Sequence, residues 1–154
     1  KKDGAAEKVT QYQAKPVERA VLQQYQAFAA EYLRTSMEGE VSLFGESLCL
    51  VPPEMIDMQR LRVLRPGLQM GMAKKNRFEP SHALALSLQQ QEFALSADFA
   101  ADSTEIMDYL KGQTIASEGK KGWCLVTVDG YSLGFGKRSG GVIKNHYPKG
   151  LRWN

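Results

Sequence analysis

The sequence has few of the residues and patterns on which enzymatic and metal chemistry depends. Its 154 residues include two histidines and two cysteines, and they form neither the HExxH nor the CxxC pattern of a metal site. No glycine-rich turn stands between a strand pattern and a helix pattern, as a nucleotide-cofactor site requires, and no phosphate-binding P-loop occurs. The sequence therefore argues against a small independent enzyme.

Long apolar runs and paired cysteines are also missing. No run approaches the roughly 18 apolar residues of a membrane helix, so we expect no membrane association. Cys49 and Cys124 each lie in an apolar stretch, LCLV and WCLV, which predicts two buried, reduced thiols in a cytoplasmic protein. The chain begins at Lys1 without an apolar signal core, which indicates a piece of a longer protein.

Acidic residues are absent from the final 22 residues, Leu133–Asn154, which hold five Lys or Arg side chains. The net charge of +3 is segregated along the chain as −3 over 1–59, +5 over 60–80, −5 over 81–110 and +6 over 111–154. Two basic blocks predict a polyanion-binding surface if the fold brings them together. Simple solvation of basic loops is the alternative interpretation.

The first part of the chain favours a helix. Val17, Val21, Phe28 and Tyr32 recur at helical spacing, which predicts a helix over about 16–36. Short helices are expected at 82–88 after a Ser81 N-cap and at 104–110 after a Ser103 N-cap.

Short strands dominate the remaining sequence. Asp129-Gly130 predicts a tight hairpin turn, Gly45-Glu46 and Pro66-Gly67 predict further turns, and Ser139-Gly140-Gly141 predicts another. Strands are predicted at 41–44, 47–51, 62–64, 68–72, 92–95, 122–128, 131–135 and 142–144. This pattern predicts an α+β fold with a small, mostly antiparallel barrel, preceded by an N-terminal helix. The predicted segments are 1–39 (linker and helix), 40–111 (α+β) and 112–154 (barrel).

The candidate binding residues combine charge, amide and ring groups. Glycines at 134, 136, 140 and 141 permit close backbone approach beside Lys137 and Arg138, and the run Lys144–Tyr147 suits phosphate neutralisation with base stacking. Core or edge packing of Tyr147 and Trp153, and a turn role for Asn145, stay open as alternatives. The full set is Lys74, Lys75, Arg77, Lys137, Arg138, Lys144, Asn145, His146, Tyr147, Lys149 and Arg152.

Two stretches carry a family resemblance. GWCLVTVDGYSLGFGKRSGGVIKNHYPKGLRW at 122–153 resembles the C-terminal PUA-like domain of the RsmF-type (Sun/NOL-NOP) RNA cytosine-5 methyltransferases, through its D-G turn, its L-G-aromatic-G-K run and its K-N-x-Y-P-K-G-L-R run. LRPGLQMGMAKKNRFEPSHALALSL at 64–88 resembles the segment that joins the catalytic and terminal domains in that family. The likeness extends over about residues 40–154.

The resemblance implies the tail of such an enzyme without its catalytic part. The family's Pro-Cys nucleophile and S-adenosylmethionine fold lie N-terminal to these segments, whereas Cys49 follows Leu48 and Cys124 follows Trp123 here. The implied protein is a bacterial, cytoplasmic enzyme that methylates a cytidine of small-subunit (16S) rRNA.

This chain would then bind RNA, beside the catalytic domain of the same protein, and would be neither catalytic nor cofactor-binding by itself. We expect a monomer. The alternative is a protein-interaction module that contacts the catalytic domain or an acidic partner.

Overall fold

The chain divides into two compact units in the computed structural model, which describes residues 17–52, 56–57, 62–63 and 67–154. The first unit contains the described residues up to Phe28 and those of Ser36–Leu84, and the second contains Ala29–Thr35 and Ala85–Asn154. Helices alternate with mostly antiparallel strands in the chain. The predicted α+β class is confirmed.

The first unit is built on a four-stranded antiparallel sheet in the order β1-β2-β5-β6. Its strands are β1 (Glu40–Phe44), β2 (Ser47–Val51), β5 (Leu68–Ala73) and β6 (Phe78–Pro80). A separate pair joins β3 (Ile56–Asp57) to β4 (Arg62–Val63). Helix α1 (Arg19–Tyr32) starts in this unit, where Tyr25 and Phe28 pack on Phe78 with ring centroids 5.6 and 5.1 Å apart.

The second unit is built on a five-stranded sheet in the order β7-β9-β10-β11-β8. Its strands are β7 (Ser96–Phe99), β8 (Ile115–Ala116), β9 (Gly122–Val128), β10 (Tyr131–Ser139) and β11 (Val142–Asn145). Helix α3 (Thr104–Leu110) contributes Ile106, Tyr109 and Leu110 to a core that includes Cys124, Val126 and Ile143 of the sheet. The short helix α2 (His82–Ser87) and 3-10 turns at Gln90–Glu92 and Lys149–Leu151 complete the elements.

Local sequence signals account for the helix starts and the tight turn. The Ser81 hydroxyl accepts a hydrogen bond from the Leu84 N–H at 3.1 Å, and the Ser103 hydroxyl accepts one from the Ile106 N–H at 3.2 Å. Both predicted N-caps are therefore confirmed. Asp129 and Gly130 have φ of 48° and 86° between β9 and β10, as the predicted primed turn requires.

The region around residue 95 differs from the sequence prediction. Residues 92–95 form no strand, because Gln90–Glu92 is a 3-10 turn and Phe93 makes one isolated bridge with Leu33. The strand is β7, which pairs in parallel with β9 through Ser96↔Leu125. A parallel partner far along the chain leaves no hairpin signal in the sequence.

The pairing of β7 with β9 also changes the boundary between the predicted segments 40–111 and 112–154. The sequence prediction began the terminal barrel at 112, but β7 and α3 belong to the same compact unit as β9. Residues 85–111 thus join the second unit.

Other bounds shift by a few residues. The predicted helix over 16–36 is Arg19–Tyr32, and the predicted start at Pro16 lies outside the described residues, as does Pro66 of the Pro66-Gly67 turn. Strand β10 continues to Ser139 instead of ending at Phe135.

Both cysteines are buried and neither forms a disulfide, as predicted. Burial raises the pKa of the Cys49 and Cys124 thiols, so both are protonated at neutral pH. Across the described residues, no helix combines the length and the apolar character needed to cross a bilayer.

Candidate nucleic-acid interface

Two lysines lie side by side on neighbouring strands of the second unit. Lys137 of β10 is the direct cross-strand partner of Lys144 on β11, and on its other side it is paired with Trp123 of β9. Directly paired residues project to the same face of a sheet. We call the face formed by Lys137, Lys144 and His146 the lysine face.

Aromatic rings fix the positions of two side chains on the lysine face. The Lys137 Nζ lies 5.2 Å from the Trp123 ring centroid, a distance at which the ring quadrupole attracts a cation. The His146 ring meets the same indole edge-on, with centroids 4.7 Å apart and an interplanar angle of 70°. Lys144 is exposed. Trp123 is itself buried, so the indole orients the polar groups above it and is not a stacking surface for a base.

Arg138 does not lie on the lysine face, contrary to the expectation that it points outward with its neighbours. Consecutive strand residues project to opposite faces, and Arg138 is 94% buried, with a relative exposure of 6%. Its Nε donates to the Lys120 carbonyl at 3.1 Å, and its Nη1 donates to the Ser117 hydroxyl at 3.1 Å. Its guanidinium therefore anchors the loop 117–121.

The glycines of the GFGK run make room for the protein core instead of a ligand. Gly134 and Gly136 are buried. A Cβ at Gly134 would overlap the Tyr109 hydroxyl, and a Cβ at Gly136 would overlap the Ile143 side chain and lie 3.0 Å from the Lys144 carbonyl oxygen. Gly140 and Gly141, with φ of 62° and 81°, form the predicted turn between β10 and β11.

Asn145 fastens the end of the chain to helix α3. Its Nδ2 donates to the Tyr109 and Gln113 carbonyls at 2.9 and 3.0 Å, and its Oδ1 accepts from the Tyr147 N–H at 2.8 Å. The turn role left open by the sequence is the one observed.

Tyr147 and Arg152 belong to the same attachment. The Tyr147 ring packs on the Tyr109 ring with centroids 5.2 Å apart, at the margin of the core. The Arg152 Nε donates to the Tyr147 carbonyl at 3.1 Å. The packing alternative therefore describes Tyr147 in this structure.

The other terminal residues are at the surface. Lys149 is exposed in the last 3-10 turn. The Trp153 side chain is 52% exposed, and the backbone N–H of Trp153 donates to the Leu110 carbonyl at 2.8 Å.

Lys74, Lys75 and Arg77 lie in the first unit, in the turn between β5 and β6. The turn is closed by a hydrogen bond of 2.7 Å from the Lys74 N–H to the Arg77 carbonyl, and Gln24 of α1 donates to the Lys74 carbonyl at 3.2 Å. Lys75 and Arg77 are exposed, and Lys74 is half-buried. Convergence of this turn with the lysine face stays a prediction.

The candidate binding residues predicted from the sequence do not include the basic side chains around the loop 117–121. Lys120 and Lys121 are exposed and line a pocket of the second unit with Arg34. The Lys-Lys doublet before the Gly122 strand was the available signal, whereas nothing local connects it to Arg34, 86 positions from Lys120. No three His, Cys, Asp or Glu side chains gather as a metal site within the part of the chain that the structure describes.

Two models of known protein families match the chain, one in each of its two parts. The family model described as the methyltransferase RsmF PUA domain matches residues 96–153. The model described as the RsmF rRNA methyltransferase first C-terminal domain matches residues 27–88. Together they span most of the chain. None of the curated proteins compared with the chain matches it.

Proposed function

Because the chain is the C-terminal region of an RsmF-type rRNA methyltransferase, we propose that it binds the RNA substrate of that enzyme and docks it for methylation. The RNA would be small-subunit (16S) rRNA and the modified atom C5 of a cytosine. A catalytic domain preceding these residues would bind S-adenosylmethionine and carry the nucleophilic cysteine. The chain itself would neither bind that cofactor nor transfer a methyl group, and the whole protein would act in the bacterial cytoplasm as a monomer.

The observation that carries the proposal is the direct pairing of Lys137 with Lys144 across β10 and β11. Like charges in directly opposite positions destabilise a sheet. The sequence supplies no compensating carboxylate anywhere in Leu133–Asn154. An RNA phosphate placed between the two ammonium groups would relieve this repulsion, so the pair favours a polyanionic ligand.

The pattern of partners supports phosphate contacts more than base recognition. Lys137 is held over Trp123, which orders its long side chain before a ligand arrives. The ring predicted to stack on a base, Tyr147, packs on Tyr109 instead. We therefore expect the lysine face to contribute affinity that depends on salt and hardly on sequence.

Salt-titrated RNA binding tests the proposal. Fluorescence anisotropy of a short labelled RNA hairpin should report binding by the full chain, with affinity falling as KCl rises. Lys137→Gln and Lys144→Gln should each lower the slope of log affinity against log salt by about 0.7–0.9. Lys111→Gln, which removes an exposed lysine at the C-cap of α3, is the matched control and should leave the slope unchanged.

A second arm separates RNA from an acidic protein partner. Polyglutamate should compete poorly with the hairpin at equal charge if the chain is an RNA-binding module. Absence of RNA binding by the folded wild-type chain, or preferential binding of polyglutamate, would reject the proposal in favour of the protein-interaction module.

A further inference from the structure

A second basic site lies within the same unit, at the start of strand β9. It is a pocket of about 140 Å³. Its lining residues are Glu31, Tyr32, Arg34, Ala94, Leu95, Lys120 and Lys121. The three basic side chains are all exposed, and they come from two stretches of chain, the segment that follows helix α1 and the loop 117–121.

The charges of this pocket favour an anion. Three cationic side chains and a single carboxylate, that of Glu31, line the pocket. The Tyr32 hydroxyl accepts a hydrogen bond from the backbone N–H of Trp123 at 3.1 Å. Arg34, Lys120 and Lys121 are exposed where they line the pocket, so their charges are accessible to a ligand.

The loop that carries the two lysines is hydrogen-bonded to a buried cation, the guanidinium of Arg138. The Arg138 guanidinium donates to the Lys120 carbonyl and the Ser117 hydroxyl, and a Cβ at Gly119 would lie 2.5 Å from its Nη2. Burial of a guanidinium is costly unless its donors are paired. This arrangement therefore fixes the backbone of Lys120, while the Lys120 side chain stays at the surface.

We propose that the pocket of Arg34, Lys120 and Lys121 binds a phosphate of the RNA backbone, with Arg138 as the residue that positions the loop. The proposal rests on the RNA-binding function above and adds a contact site separate from the lysine face. Tyr32 is 7% exposed, and no other ring lines the pocket. The pocket therefore offers no stacking surface and contacts the backbone independently of sequence.

Neutralising the two loop lysines tests the site directly. The full chain carrying Lys120→Gln and Lys121→Gln should bind the labelled RNA hairpin with a salt slope lowered by about 0.7–0.9, the contribution of the one phosphate contact that is lost. The loss should be equal for a labelled hairpin and a labelled oligouridine. Lys120→Arg with Lys121→Arg keeps both charges and should retain the wild-type slope.

The controls separate this inference from the proposed function. If the wild-type chain binds RNA and the Lys137 and Lys144 variants lower the slope, but the double glutamine variant does not, the pocket is not a phosphate site and the proposed function stands. If the wild-type chain binds no RNA, the proposed function fails first.

A double-mutant cycle tests the role assigned to Arg138. Arg138→Met should lower RNA affinity in the wild-type background and add no further loss in the Lys120→Gln, Lys121→Gln background. An equal loss in both backgrounds would reject the positioning role. Removal of a buried cation leaves its hydrogen-bond partners unpaired and can unfold the chain. Ser117→Ala, which removes only the hydroxyl acceptor, is therefore the second variant and should show the same dependence on background at a smaller scale.

Discussion

The terminal segment 133–152 and the loop 117–121 are both basic, but they use their polar groups differently. In the terminal segment, Arg138, Asn145 and Arg152 donate hydrogen bonds to carbonyl or hydroxyl oxygens of the protein. In the loop, Lys120 and Lys121 keep their side chains at the surface. A dense motif of polar residues can therefore serve mainly to close a fold, while a lysine doublet outside it presents charge to a ligand.

The two ends of strand β9 also differ in charge. The pocket at the C-terminal end of β9 is larger, about 370 Å³. None of its lining residues is basic: they are Leu86, Leu88, Gln89, Gln91, Gly130, Tyr131 and Ser132. Asp129 stands next to this pocket in the turn, and residues 81–110 contain no Lys or Arg. A polyanion is selected by charge and not by volume, which favours the smaller pocket at the start of β9.

The largest effect is expected where the terminal segment is fastened. Asn145→Ala removes the hydrogen bonds to Tyr109, Gln113 and Tyr147, and at about 0.5–1.5 kcal/mol per bond the three together should lower the free energy of unfolding by about 1.5–4.5 kcal/mol. Urea denaturation measures the change. Its neighbour Lys144→Ala should stay within about 0.5 kcal/mol of wild type. An equal loss of unfolding free energy in Asn145→Ala and Lys144→Ala would contradict the inference that Asn145 stabilises the fold and Lys144 does not.

The next effect concerns the close approach of β10 to helix α3. Gly134→Ala would place a methyl group against the Tyr109 hydroxyl, and such overpacking costs about 1–3 kcal/mol. Gly150→Ala, where a Cβ would meet nothing within 4 Å, is the control and should leave the melting temperature unchanged. If Gly134→Ala lost RNA affinity without losing stability, the glycine would face the ligand, as the sequence first suggested.

A smaller effect is expected for the Tyr109 hydroxyl, which donates to the Phe135 carbonyl at 2.7 Å. Tyr109→Phe should cost about 1 kcal/mol for this hydrogen bond. Thermal melting at neutral pH measures it, with Tyr131→Phe at the 78% exposed tyrosine as the control.

The same residue predicts how stability changes with alkaline pH. Burial raises the pKa of Tyr109, and the neighbouring Tyr147 raises it further. The folded state keeps this proton, whereas the unfolded chain releases it at its ordinary pKa of about 10. Stability should therefore be retained below about pH 10 and fall as pH rises above it. Tyr109→Phe should flatten this fall without abolishing it, because burial also raises the pKa of Tyr25 and Tyr32. An identical alkaline slope in the variant would contradict the assignment.

The smallest effect is expected at the uncharged end of β9. Tyr131→Ala should change stability by no more than about 0.5 kcal/mol and leave RNA affinity and its salt slope unchanged. Anisotropy titrations beside the Lys120, Lys121 variant make the comparison within one experiment. A loss of RNA affinity on the order of 1–3 kcal/mol, typical of a stacked base, would place a base contact at Tyr131. It would contradict the inference that RNA contacts the pocket at the start of β9 and not the one at its C-terminal end.

The α+β class, the hairpin at Asp129-Gly130 and the N-caps at Ser81 and Ser103 could be predicted from the sequence alone. These features depend on residues adjacent in the chain, whose conformational preferences and spacing are visible without the fold. The family was also readable from the sequence, because its motifs at 64–88 and 122–153 are continuous. The continuous terminal motif does not, however, distinguish polar residues that are buried from those that are exposed.

Which of those polar residues are available to a ligand is visible only in the folded chain. Arg138 and Lys137 are consecutive, yet one is buried beneath a loop and the other stands on the lysine face, because the strand projects them to opposite sides. Asn145 finds its partners on helix α3, and Arg34 reaches the same pocket as Lys120. Such contacts between distant positions are set by the packing of whole elements, which no local spacing records.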